Sequence, residues 1–121
     1  MHSPLKVMVL IKKRSDISTE QFRRHYESVH APLVDRLLPF YSAYRRNYID
    51  GPVRSEPFEF GWDVFTELEF PNQPAYDDWL SALSDPDVLA QIRADEANFI
   101  EPGTTRMLAV TAFASHYPDL P

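Results

Sequence analysis

Apolar residues recur at two periods along this chain, and each change of period marks an element boundary. Leu5 to Ile11 (LKVMVLI) is a short apolar run rich in β-branched residues and reads as a strand buried on at least one face. Ser18 to Val34 (STEQFRRHYESVHAPLV) switches to helical spacing, with Phe22, Tyr26, Val29 and Leu33 as its buried stripe. Ser18 and Gln21 have the spacing of a capping box, and Ile17 with Phe22 fits the accompanying hydrophobic staple. Pro32 disfavours helical geometry at Ala31, so the regular helix is expected to break or kink just after His30. Phe40 to Asp50 is rich in tyrosine and suits a strand, closed by the turn signal Asp50-Gly51-Pro52, with a polar loop from Gly51 to Pro57. Phe58 to Phe70 alternates again: Trp62, Val64, Thr66 and Leu68 point one way, and Asp63, Phe65, Glu67 and Glu69 the other.

Gln73 to Leu83 returns to helical spacing, with Ala75, Tyr76, Trp79, Leu80 and Leu83 on its apolar side. Asp85 caps a further helix with Pro86 at its first position, where a missing N–H costs nothing. That helix carries Val88, Leu89, Ile92, Ala97 and Phe99 and stops before Pro102-Gly103. Thr104 to Phe113 is a last strand. The order of strand, helix, strand, strand, helix, strand predicts an α+β fold: a ferredoxin-like βαββαβ unit, with helices on one face of a four-stranded antiparallel sheet. One domain spanning residues 1–121 suffices for this plan. The uncovered sheet face, expected to hold Tyr44, Phe65 and Met107, is too apolar to leave wet, which predicts a homodimer.

Composition narrows the function classes. A net charge of −6 argues against nucleic-acid binding, which needs a basic face. No apolar run approaches membrane-spanning length, and the N-terminal stretch offers no small-residue cleavage site, so a cytoplasmic protein without membrane partners is expected. With no cysteine, disulfides and thiolate chemistry are excluded. Three glycines provide no phosphate-binding loop. Glu27-x-x-His30 has the spacing of a carboxylate-bridged metal motif but lacks a second copy on a partner helix. His25 and His30, five apart, fall roughly 140° apart on an α-helix rather than on one face. His2 and His116 sit in the tails. Neither a metal nor a bound cofactor is expected.

The candidate chemistry gathers around His30, a titratable imidazole at a helix end beside Tyr26. A neutral imidazole there can remove or deliver a proton, or serve structure alone by bonding to backbone. Tyr44, Arg46 and Tyr48 share one face of their strand. A phenol there can hydrogen-bond a developing enolate, and Arg46 can clamp a substrate carboxylate in two-pronged fashion. The plain alternative makes the tyrosines core or interface residues and the arginines solvated. Asp63, flanked by Trp62, would need a partner if buried, and His30 or Arg46 would serve; pairing with His30 would orient the imidazole, whereas at the strand's start Asp63 would merely mark the boundary.

Three stretches resemble the EthD family within the dimeric α/β-barrel superfamily: FRRHYESVHAPLV, GWDVFTELEF and ADEANFIEPG, in that order. Together they extend the resemblance over nearly the whole chain. It implies a ferredoxin-like protomer, a homodimer formed through the open sheet faces, and a pocket between sheet and helices. Relatives such as methylmuconolactone methylisomerase are similar in having a histidine on this helix, best matched by His30, and a pocket tyrosine, matched by Tyr44. Asp63 resembles the family's strand aspartate. The implied function is a cofactor-independent isomerase acting on a small unsaturated carboxylic acid or lactone from aromatic breakdown. In it His30, Tyr44 and Asp63 are catalytic, and Tyr26, Arg46, Tyr48 and Trp62 bind substrate. A polyketide cyclase or dehydrating lyase, a cofactor-free monooxygenase and a non-catalytic ligand-binding dimer are the alternatives.

Overall fold

The computed structural model describes residues 5–54, 56 and 58–115. His2 and His116 lie outside them. Four strands, β1 (Leu5–Ile11), β2 (Ala43–Tyr48), β3 (Val64–Phe70) and β4 (Arg106–Thr111), form one sheet in the order β2-β3-β1-β4. Every neighbouring pair is antiparallel. The helical segments are α1 (Thr19–His25), a π-turn over Tyr26–His30, α2 (Ala31–Leu37), α3 (Gln73–Leu83) and α4 (Pro86–Glu96). This is the expected ferredoxin-like arrangement, with β2, β3 and β4 shorter than their apolar patterns.

Local chemistry explains the element starts. Ser18 and Gln21 form the complete capping box: each side chain accepts from the other's backbone N–H. Asn72 caps α3, and Asp85 caps α4 with Pro86 in its first turn. Val7, Val9 and Ile11 of β1 meet Val64, Leu68 and Phe70 of β3 beneath the helices, where Phe22, Tyr26, Trp79, Ile92 and Phe99 close the core. Burying each large apolar side chain contributes about 1.5–3 kcal/mol.

The first helical stretch departs from expectation. It does not break at Pro32; Ala31 is helical (φ −61°, ψ −45°) and the chain stays helical to Leu37. The widened π-turn just before it explains why. Ala31 N–H reaches back five residues to the Tyr26 carbonyl, and the looser turn makes room for a proline ring that has no N–H to give. The same turn shifts the buried stripe. Val29 is turned outward, 45% exposed, and His30 takes its place inside at 4%.

The sheet's outer face also needs correction. Tyr44 and Met107 lie on the helix side of the sheet, Met107 opposite Val9 and Tyr44 opposite Leu68. Phe65 does face outward, beside a charged network in which Lys6 contacts Glu67 and Glu69, each at 3.2 Å, and Arg45 contacts Glu69 at 2.8 Å. No helix among the described residues is long and apolar enough to cross a membrane.

Candidate active site

The π-turn brings together two side chains that a regular helix would keep apart. Because its hydrogen bond spans five residues, His25 and His30 come onto one side of the turn and reach the same carboxylate. His25 Nε2 lies 2.8 Å from Asp95 Oδ1 and His30 Nδ1 lies 2.9 Å from Asp95 Oδ2. Asn98 Nδ2 donates a third hydrogen bond to Asp95 Oδ1 at 3.2 Å. Asp95 is buried in the last turn of α4, and the segment that follows is held against the loop after β1: Arg14 N donates to the Phe99 carbonyl, and Glu101 N to that of Lys12. Phe99 packs beside both imidazoles, its ring centroid 4.8 Å from each.

The electrostatics bear on Asp95 and His30 in turn. Burial pushes the Asp95 carboxyl up, but hydrogen bonds from His30, Asn98 and His25 outweigh it and hold it below the ordinary carboxylate value. Burial is also the larger influence on His30 and lowers its pKa, with Asp95 opposing. His30 is therefore a neutral imidazole at neutral pH, and an ionised Asp95 requires its proton on Nδ1. That leaves Nε2 as the basic nitrogen, and it has no hydrogen-bond partner among the described residues.

His30 forms part of the wall of a cavity of about 290 Å³ between sheet and helices, at the small end of ligand-pocket sizes. The lining is largely apolar, with Val9, Val34, Leu68 and Ile92 among it. Its polar groups include a hydroxyl chain: Tyr44 donates to Tyr26 at 3.1 Å, and Tyr26 shares a 2.7 Å hydrogen bond with Thr66. Burial raises both phenols, so both stay protonated. Trp79, Arg93 and Glu96 complete the polar lining. Among the described residues no group of three or more His, Asp or Glu side chains is arranged to hold a metal ion.

Of the residues singled out from sequence, the structure brings His30, Tyr26 and Tyr44 together at this cavity and leaves four elsewhere. Asp63 is not the partner of His30; its Oδ2 accepts from Lys13 N at 2.8 Å and ties the end of β1 to the start of β3. Arg46 is engaged two-pronged by Glu27, at 3.0 and 2.7 Å, and lies over the Tyr44 ring. Tyr48 donates to that same Glu27 carboxylate. Trp62 lines shallow hollows by the β2–β3 loop, not the cavity of His30. Sequence reasoning missed His25, Asp95, Trp79 and Glu96. The signal for the acids was the ADEANF stretch, whose Asp-Glu pair ends α4.

Residues 14–103 match the EthD domain. The chain belongs to the EthD family. No curated protein matches it. Among solved structures it is similar to an ethyl tert-butyl ether D (EthD) family protein from Bacillus halodurans, at 18% identity and a TM-score of 0.64, with 91% of this chain and 99% of that one covered. It also resembles a dimeric ferredoxin-like protein of unknown function from Bacteroides fragilis (15% identity, TM-score 0.58, 92% and 98% covered). A third likeness is a DABB family protein with a ferredoxin-like fold from Mesorhizobium loti (14%, TM-score 0.56, 93% and 100%). At these identities the likeness concerns the EthD fold alone.

Proposed function

We propose that this EthD protein is a cofactor-independent isomerase that moves a proton on a small unsaturated carbonyl compound, of the lactone or dienoate kind released in aromatic breakdown. One observation carries the reading: a neutral buried imidazole, oriented through Nδ1 by a buried carboxylate, with Nε2 unpartnered at the wall of a small cavity. In this mechanism Nε2 takes a proton from the carbon beside the carbonyl, and the C–H electron pair moves into the carbonyl to form an enolate. The proton returns from the imidazolium to a carbon farther along the conjugated system, and His30 is neutral again. Asp95 takes the orienting part expected of Asp63, stabilising the transient imidazolium. Tyr26 and Tyr44 position the substrate.

Arg46 plays no carboxylate-clamping part in this reading, because Glu27 already holds its guanidinium. That pairing, with the apolar lining, also favours a cyclase or dehydrating lyase working on a less charged substrate with the same base. We take the active form to be a homodimer of single-domain protomers, supported by the dimeric ferredoxin-like neighbour and by Met8, Phe65 and Leu108 on the open sheet face.

The test is exchange of carbon-bound hydrogen in D2O, followed by NMR for a panel of small lactones, dienoates and cyclic enones. Wild type should exchange at least one of them, and His30→Asn should be slower by about 10²–10⁴-fold, the usual contribution of a general base. Binding without exchange in either protein would make the EthD chain a ligand carrier instead.

A further inference from the structure

The cavity holds two polar groups that the proton-transfer chemistry leaves idle. Trp79 is only 2% exposed, and its indole Nε1 is a buried donor without a partner among the described residues. Buried N–H groups are nearly always satisfied, so this orphan, on a side chain that lines the cavity, points to an acceptor that the chain itself does not supply. Glu96 shares that lining, and its carboxyl makes neither a hydrogen bond nor an ion pair among the described residues. Burial pushes Glu96 up, with Arg93 opposing, toward the protonated form that can donate. Of the phenols, Tyr44 already donates its hydrogen to Tyr26.

We propose that Trp79 and Glu96 form a two-donor seat for the carbonyl oxygen of a neutral ligand in the cavity that His30 lines. The inference rests on the proton-transfer reading for its purpose: donors already in place would hold the oxygen on which enolate charge develops. It also names the ligand class. The indole N–H, and the Glu96 carboxyl once it carries a proton, offer hydrogen to a carbonyl oxygen, so the proposed seat takes a neutral acceptor in preference to a second carboxylate beside Glu96. Within the proposed substrate class this favours a lactone or enone over a dienoate or a ring-opened carboxylate.

The probes are α-angelica lactone and its hydrolysis product, 4-oxopentanoate. Protein labelled with 15N-tryptophan gives two indole resonances, assigned with Trp62→Phe. The lactone should shift the Trp79 resonance and leave that of Trp62 in place, and the carboxylate should bind more weakly. Trp79→Phe should weaken lactone binding several-fold, as loss of one hydrogen bond does. An unmoved Trp79 resonance, or tighter binding of the carboxylate, overturns the seat. Should Trp79→Phe fail to fold, Glu96→Gln, which still donates, should bind like wild type while Glu96→Met binds several-fold more weakly; equal binding by both overturns it. Deuterium exchange separates this inference from the reading beneath it. If His30-dependent exchange of the lactone persists while Trp79→Phe binds normally, the seat falls and proton transfer stands. If the resonance shifts and Trp79→Phe binds weakly, but wild type exchanges nothing, the seat stands and proton transfer falls.

Discussion

Two carboxylates flank the first helical stretch, and they are used in opposite ways. Glu27 lies on the π-turn, half exposed, and accepts from Arg46 and Tyr48. Asp95 comes from α4, is buried, and accepts from His25 and His30. Both are held ionised, Glu27 mainly by its hydrogen bonds from Arg46, and Asp95 by hydrogen bonds that overcome burial. The difference is the partner. A guanidinium stays charged across the working pH range, so the Glu27 cluster can only hold strands and helix together. An imidazole changes charge within that range, so the Asp95 cluster can pass a proton. Pairing with a fixed cation makes a clasp; pairing with a titratable base makes a candidate site for the proposed proton transfer.

The largest break in this comparison should come from Asp95→Asn. The amide can no longer accept from both histidines as an anion, and the His30 tautomer is released. Thermal or urea unfolding should show a loss of about 1–3 kcal/mol, and exchange activity should fall sharply, though less than in His30→Asn. Unchanged activity would show that orientation through Nδ1 is not needed.

A smaller effect should appear in the pH dependence of stability. The pKa of His30 is lower in the folded protein than the ordinary 6.5. Its contribution is therefore fully present above 6.5 and is lost as pH falls toward the folded value, because the unfolded chain binds the proton first. The pKa of Asp95 is likewise lowered, so its contribution is lost at still lower pH, as pH falls below the ordinary carboxylate value. The melting temperature of wild type should drop on acidification from neutral pH, and His30→Asn should lack the first part of that drop. A wild-type curve flat between pH 7 and 5 would contradict the assignment of a buried neutral imidazole.

The smallest effect belongs to the clasp. Arg46→Met should cost about 1 kcal/mol, the upper end for surface pairs, because the pair with Glu27 is two-pronged and partly buried, and should leave exchange of a neutral substrate unchanged. A large loss of activity toward a carboxylate substrate, with stability intact, would return Arg46 to the role of clamp.

Much of the protein was legible beforehand where the cause is local. The capping box at Ser18, the Pro86 start of α4 and the Gln73–Leu83 helix depend on neighbours a few residues apart, and the structure has all three. His30 and Tyr26 were recognisable because they stand on one short stretch. The pairing of His30 was not. Spacing set His25 and His30 on different helix faces, and the family resemblance offered Asp63 as the acid, but the π-turn realigned the histidines. The carboxylate came instead from a residue 65 positions away.

The sequence by itself determined the alternation of strands and helices, their caps, and the presence of an imidazole near an aromatic core, since backbone preference and side-chain periodicity act over a few residues. Only the tertiary structure decided which carboxylate faces His30, that Glu27 rather than a ligand holds Arg46, and that Trp79 Nε1 has no partner among the described residues. Those outcomes depend on how α4 packs against the π-turn and on which strand face lies inward. Contacts made across the chain, and the burial that shifts a proton's affinity, arise only when distant segments close on one core.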